Sequence, residues 1–305
     1  MADRLAVPMS FDAHYGAGLD RTLVLGGGGV WFVAWQTGYL RTLMKLGLDL
    51  GGAQRVVGTS AGSVMASVVT GRRLSAFHTA ISGLARAPQI VSALAPASSL
   101  TPSQDRALEM FRAATNAHPD TIREIGYAAL AANTPSATAL TRNITVLLAM
   151  RRWPSPTLQI TCVDTYTGER CVVGSDDEVP LARAVAASSA VPGIFPPQPI
   201  GDRRCMDGGV SGSGTHTDLV AGANRAIVIS LTDGTSTEDT WGTVEPGGIS
   251  RQFEALAASG TRVALRVPEG AIPEDLMNPR DVPDALARGT AQAIRDHPEL
   301  ARMWA

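Results

Sequence analysis

Short apolar runs that end in glycine alternate, early in the chain, with longer segments of helical spacing. Residues 21–25 read as a buried strand that runs straight into four glycines, Gly26 to Gly29. From Val30 to Gly47 apolar residues recur at helical intervals and stop at the glycine, which predicts a helix. A second strand is expected over Gln54–Val57; it leads into Gly58-Thr59-Ser60-Ala61-Gly62-Ser63, and a helix follows from Val64 to Val69. Strand, glycine turn and helix thus occur twice between residues 21 and 69. That rhythm belongs to an α/β parallel sheet, whose ligands gather at the carboxyl ends of the strands.

From Leu74 to Ala149 the chain is rich in Ala, Leu, Ser and Thr, with several helical periods and turn signals at Thr101-Pro102, His118-Pro119 and Thr134-Pro135. Two readings stand side by side: a helical insertion over the site, or ordinary outer helices of the same domain. Strand signals return at Leu158–Val163 and Arg170–Val173, joined by Asp164-Thr165-Tyr166-Thr167-Gly168 as a hairpin. A helix is expected over Pro180–Ser188, a strand-like piece around Arg203–Met206, and a buried strand over Arg225–Leu231. Thr261–Val267 reads as the last strand, before a polar helix from Val282 to Asp296. The segment Thr232–Gly248, rich in Gly, Thr, Ser and acidic residues, predicts a mobile loop. There is no internal repeat.

At 305 residues the chain suits a single large α/β domain. Hydrophobic residues make up 45% and charged residues 18%, which supplies a core and excludes a disordered chain. The formal net charge of −2 gives nucleic acid no electrostatic reason to bind, so any membrane contact has to come from a local surface. The first residues lack the basic start and apolar run of a signal peptide, and no stretch reaches the ~18–20 uncharged apolar residues of a membrane span. Cys162, Cys171 and Cys205 form neither an even framework nor a CxxC pair, which fits reduced thiols. A soluble, cytoplasmic protein with at most transient peripheral membrane contact is expected. No clustered His, Cys or Asp ligand set stands out, and neither a metal nor a cofactor is expected.

The strongest chemical signal is the Gly58-Thr59-Ser60-Ala61-Gly62 turn between an apolar strand and a helix. A nucleophile elbow needs that context: small residues around a tight turn, a serine projecting from it, and a helix N-terminus aimed at the same point. A serine needs a base. His14, His78, His118, His216 and His297 are available, but only His216 falls near a strand end, and none follows a late strand as a triad histidine would. Asp207-Gly208-Gly209, at the end of a strand, is the better candidate base, although Asp-Gly is also an ordinary turn. Gly27, Gly28 and Gly29 read as oxyanion donors. A dinucleotide loop fits poorly, because Trp31 and Phe32 stand where GxGxxG would need glycine.

Together these segments resemble the patatin-like phospholipases, particularly their bacterial members. The resemblance runs in order through LVLGGGG (Leu23–Gly29), AWQTGYL (Ala34–Leu40), VVGTSAGS (Val56–Ser63), ARAVAASSAVPGIFPP (Ala182–Pro197) and MDGGV (Met206–Val210), and continues to Ser230. It implies a three-layer α/β/α fold with a central, mostly parallel sheet and a helical insertion over residues 74–150. It divides the chain into a tail (1–20), a catalytic domain (21–235) and a C-terminal extension packing on that domain (236–305). It also implies a lipid acyl hydrolase of phospholipase A, lysophospholipase or carboxylesterase type. Ser60 would be the nucleophile, Asp207 the sole proton relay and the glycine run the oxyanion hole, with Gly58, Ala61, Gly62, Gly208 and Gly209 in support. The segment from Ala187 to Pro192 would line or support the site.

Two departures stand out. Val30-Trp31-Phe32 occupies the place of the family's x-Arg/Lys-Gly, so a cation is lost and the pocket or oxyanion loop is expected to change. His216 stands where asparagine is frequent. The competing readings are a Ser-Asp-His triad recruiting His216 or His297, and a degenerate member that binds lipid without turning it over.

Overall fold

The computed structural model describes residues 4–84, 99–235 and 243–305. Strands β1 (Arg21–Leu25) and β2 (Arg55–Gly58) alternate with helices α1 (Gly29–Lys45) and α2 (Ala61–Thr70). The helical stretch follows as α3 (Leu74–Leu84), α4 (Pro102–Ala113), α5 (Pro119–Ala131) and α6 (Ala137–Leu148). The sheet then resumes with β3 (Leu158–Asp164), β4 (Arg170–Val173), helix α7 (Leu181–Ser188), β5 (Gln198–Ile200), β6 (Arg203–Asp207) and β7 (Arg225–Ile229). Helix α8 (Gly248–Ala258), strand β8 (Arg262–Arg266) and helix α9 (Val282–Trp304) close the described chain. The prolines that signalled turns at 102 and 119 begin α4 and α5, where a missing N–H costs nothing.

The strands pair in the order β5-β6-β3-β2-β1-β7-β8, with β4 also on β3. The run β3-β2-β1-β7-β8 is parallel, whereas β4 and β6 both pair antiparallel to β3. In β1, Leu23 and Leu25 enter one core while Val24 enters the other, as the two-residue period of a strand requires. Both faces are therefore apolar and covered. Helices α1, α2, α7 and α9 contribute to the larger core. Helix α8 and the N-terminal residues Val7, Phe11 and Tyr15 cover the other face. This is the mostly parallel, three-layer α/β/α arrangement that the family resemblance implies.

Three differences from the sequence reading stand out. Strand β5 and helix α8 were not anticipated: β5 is a three-residue antiparallel edge, and α8 buries only Leu256. Helix α9 runs past Asp296 to Trp304 and carries Pro298 within it. The mobile loop expected over 232–248 falls outside the described residues at 236–242. No described helix is long and apolar enough to cross a membrane.

Helices α1 and α9 touch backbone to backbone. A Cβ on Gly289 would stand 2.1 Å from the Trp35 carbonyl oxygen, and one on Gly38 would stand 2.3 Å from that of Leu286. The Tyr39 hydroxyl donates to Asp296 at 2.7 Å across the same seam. Gly289→Val should therefore force the helices apart and lower Tm by roughly 5 °C in a thermal melt. Gly52→Ala, which adds a methyl in open space, should leave Tm unchanged.

Candidate active site

The carboxyl ends of β2 and β6 meet along one edge of β3. Gly58 stands opposite Ile160 and Asp207 opposite Cys162, while β4 pairs with both of those β3 residues from the other side. Because β2 runs with β3 and β6 runs against it, the two strands point at each other, with only Thr161 between their registers. The chain leaving Gly58 and the side chain of Asp207 therefore share one small volume.

Ser60 sits at the turn with φ 52° and ψ −120°, a conformation that L-residues rarely adopt. It immediately precedes α2, whose first residues are Ala61 and Gly62. The turn is this tight because Gly62 lies on β1: a Cβ there would stand 1.8 Å from the Leu25 carbonyl oxygen. The segment 187–192 holds both neighbours of the gap. The Ser60 N–H donates to Ser188 Oγ at 2.8 Å, and the Asp207 N–H donates to the Ala190 carbonyl at 3.0 Å. The family resemblance implied that this segment lines or supports the site but gave no sign of these two bonds.

Asp207 Oδ1 accepts the Gly209 N–H at 2.8 Å. Gly208 is wedged against β3, where a Cβ would meet Thr161 Oγ1 at 2.7 Å. Asp207 Oδ2 is buried without a hydrogen bond of ordinary geometry among the described residues, yet the Ser60 hydroxyl is close enough to favour the carboxylate. Burial dominates and raises the carboxyl from 3.8 to about 6, against the pull of the Gly209 N–H and the Ser60 hydroxyl.

The glycine run lies directly over Ser60: a Cβ on Gly27 would stand 3.2 Å from that of Ser60. The Gly27 N–H is engaged, donating to the Gly214 carbonyl at 3.1 Å. The N–H groups of Gly28 and Gly29 find no acceptor among the described residues. Helix α1 starts at Gly29 and α2 at Ala61, so two helix N-termini border the same cavity and favour negative charge there.

That cavity, about 300 Å³, is lined by Gly27–Gly29, Ser60 and Asp207 and is otherwise mainly apolar. Helices α3, α4 and α6 wall it with Ile81, Leu108, Phe111, Leu140 and Ile144, so the helical stretch 74–150 does border the site. Among the described residues its charged lining, apart from Asp207, is Arg112, Glu274 and Asp275. The C-terminal segment closes one side through Leu276 and Met277, and the Leu276 carbonyl accepts the Trp31 N–H at 2.9 Å. Nothing in the sequence pattern pointed to this wall.

Trp31 and Phe32 do not line the cavity, so of the two expected changes, in the pocket or in the oxyanion loop, a direct narrowing of the pocket is not seen. Both are fully buried. Phe32 stacks on Trp35 and Trp35 on Tyr39, and Arg288 of α9 lies 5.1 Å from the Trp31 ring centre. Trp31, Trp35 and Tyr39 meet α9, and Phe32 packs against Trp35.

His216 lies behind the aspartate turn. Its Nε2 bonds the Gly208 carbonyl at 3.2 Å and its Nδ1 faces Arg170 at 3.3 Å. Burial, reinforced by the Arg170 guanidinium, drives its pKa well below the usual value, so the ring is neutral. With Arg170 donating to Nδ1, Nε2 carries the proton given to Gly208. Arg170 itself makes a buried two-pronged pair with Asp218 at 2.6 and 2.8 Å. His297 lies in α9 and, like His14, His78 and His118, does not line the cavity. The three cysteines, which showed no ligand pattern in sequence, converge in a buried cluster on β3, β4 and β6. This corrects the expectation that no ligand set is clustered; strand register rather than spacing brings them together.

The model of a family described as patatin-like phospholipase matches residues 23–219. That span holds the glycine run, Ser60, the 187–192 segment and Asp207. No curated protein matches the chain. Among solved structures it is similar to the type III effector protein ExoU, at 17% identity and a TM-score of 0.41, over 93% of this chain and 54% of that one. It is also similar to VipD from Legionella pneumophila, at 12% identity and a TM-score of 0.39, over 96% of this chain and 68% of that one. The chain thus spans about half the length of the ExoU structure.

The raised carboxyl makes a stability prediction. A folded pKa of about 6 against an unfolded 3.8 means that the native state holds this proton more tightly. The associated stability is present below about pH 3.8 and is lost as pH rises through about 6. Asp207→Asn removes the buried charge, so its Tm should exceed that of the wild type, with a gap that widens between pH 4.5 and pH 7 and then levels off. A gap independent of pH would contradict the assignment.

Proposed function

The chain belongs to the patatin-like phospholipase family, and on that premise we propose that it is a lipid acyl hydrolase using Ser60 and Asp207 alone. The observation that carries the reading is Asp207 Oδ2: a buried carboxylate oxygen with no other ordinary partner among the described residues, beside the hydroxyl of a serine on a strained turn. With a pKa near 6 the carboxylate is ionised at neutral pH and basic enough to accept a proton.

In this mechanism Ser60 Oγ attacks the ester carbonyl carbon while its proton passes to Asp207. The negative oxygen of the tetrahedral intermediate is held by the free N–H groups of Gly28 and Gly29 and by the two helix N-termini. Gly27, whose N–H is engaged, shapes the hole without donating. The intermediate collapses, the C–O bond to the leaving alcohol breaks, and Asp207 returns the proton to that oxygen. Water then gives a proton to Asp207 and attacks the acyl-serine ester; as this second intermediate collapses, the bond to Ser60 Oγ breaks, Asp207 returns the proton to that oxygen, and the fatty acid leaves with the dyad restored. His216 takes no part in the proton transfers; its proton fixes the Gly208 carbonyl and with it the turn that aims Asp207. An ester leaving group needs less acid assistance than an amide, so a lone carboxylate suits esterolysis. The burial of Trp31 and Phe32 away from the cavity supports catalysis over a binding-only role.

The substrate fits the walls. A mainly apolar cavity of about 300 Å³ is small for a ligand site and accommodates a single acyl chain, as in a lysophospholipid or a simple ester. A fluorophosphonate probe should label wild type but not Ser60→Ala. Ser60→Ala and Asp207→Asn should each lower p-nitrophenyl ester hydrolysis at least a thousandfold. Undiminished hydrolysis by either variant would refute the dyad. Leu147→Trp, on the cavity wall, should cut kcat/KM for long-chain esters about tenfold or more while sparing short ones, as measured across an ester series.

A further inference from the structure

The chain has three cysteines, and all three meet at one point. Cys162 on β3, Cys171 on β4 and Cys205 on β6 place their sulfurs within 4.8 Å of one another. Cys162 lies directly opposite Cys171, and Cys205 lies opposite Asp164, two residues further along β3, so the register sets all three on one face of the sheet. Strands β4 and β6 flank β3 on opposite sides, about 9.5 Å apart at the usual strand spacing, yet their sulfurs approach to half that distance.

Burial alone would make each thiol a small apolar core residue. Filling space does not require three side chains to lean across two strands toward a common point. Three sulfurs converging on one point is the arrangement that a small soft cation takes. The donors are all sulfur, which selects a soft metal, and there are three of them, where structural zinc takes four ligands. Metal–sulfur bonds of about 2.3 Å in a flat trigonal arrangement put the sulfurs about 4 Å apart, within the observed limit.

We propose that Cys162, Cys171 and Cys205 form a binding site for one thiophilic cation of the Cu(I) class, separate from the Ser60–Asp207 chemistry. Binding forms three metal–sulfur bonds and releases the thiol protons to solvent, with no change in oxidation state. Its effect on the fold is to tie β3, β4 and β6 together, and so to stabilise the folded chain by mass action.

The test is anaerobic titration of the full, reduced chain with Cu(I) supplied as its acetonitrile complex, against a chromophoric Cu(I) chelator. One equivalent should bind with sulfur-to-copper charge-transfer absorption in the ultraviolet and an increase in Tm. Cys162→Ala, Cys171→Ala and Cys205→Ala should each weaken binding at least a hundredfold while keeping ester hydrolysis, with serine substituted wherever alanine fails to fold. No uptake by the native chain, uptake only in denaturant, or uptake that survives Cys205→Ala would overturn the site. Tighter binding of Zn(II) than of Cu(I) would overturn the assigned class.

Discussion

Strands β2 and β6 share one edge of β3 while running in opposite directions along it, and the rest of the site depends on that collision. A strand pair in one direction would leave its carboxyl ends side by side. Here they meet head to head, so a serine leaving one strand and an aspartate ending the other reach the same point. The parallel neighbours β1 and β7 deliver the glycine run to it from the side, where the Gly26 N–H bonds the Ile229 carbonyl. The antiparallel hairpin β3–β4 and the antiparallel β6 are the departures from a plain parallel sheet, and they create the site.

Placing a carboxylate there costs free energy, and much of the surrounding structure serves to hold it. Burial raises Asp207 to about 6, and the Gly209 N–H recovers part of that cost at Oδ1. The turn is braced from behind by His216 on the Gly208 carbonyl, and His216 is braced in turn by the Arg170–Asp218 pair. Arg170 also donates to the Val7 and Pro8 carbonyls, which ties the N-terminal segment into the same network. His216 is thus neutral, engaged at both nitrogens and set back from the cavity lining. On the other flank, the C-terminal segment caps α1 through Leu276 and completes the cavity wall.

Much of this was legible in the residues. The apolar runs ending in glycine marked β1 and β2, and the glycine, serine and aspartate motifs marked the groups that the sheet then brings together. The parts that were not legible depend on tertiary geometry rather than local pattern. Whether Trp31 and Phe32 would alter the pocket or the oxyanion loop stayed open because a sequence does not say which face of α1 turns to the sheet and which to α9. That the Gly27 N–H is engaged depends on a carbonyl at Gly214, far along the chain. Helix α8 escaped notice because its segment buries little, and the cysteine cluster did because its spacing follows register, not a motif. The Ser188 and Ala190 contacts were invisible for the same reason, although their segment was singled out.

The central claim is that Asp207 accepts the proton of Ser60, and the pH dependence of kcat/KM for a short-chain ester tests it most directly. In the free enzyme this profile reports the ionisation of the essential base. The account predicts a single acid limb with a midpoint near 6, activity rising with pH through it, and no such limb in the residual activity of Asp207→Asn. A limb near 4, or one near 6 that persists when Asp207 is replaced, would show that another group takes the proton.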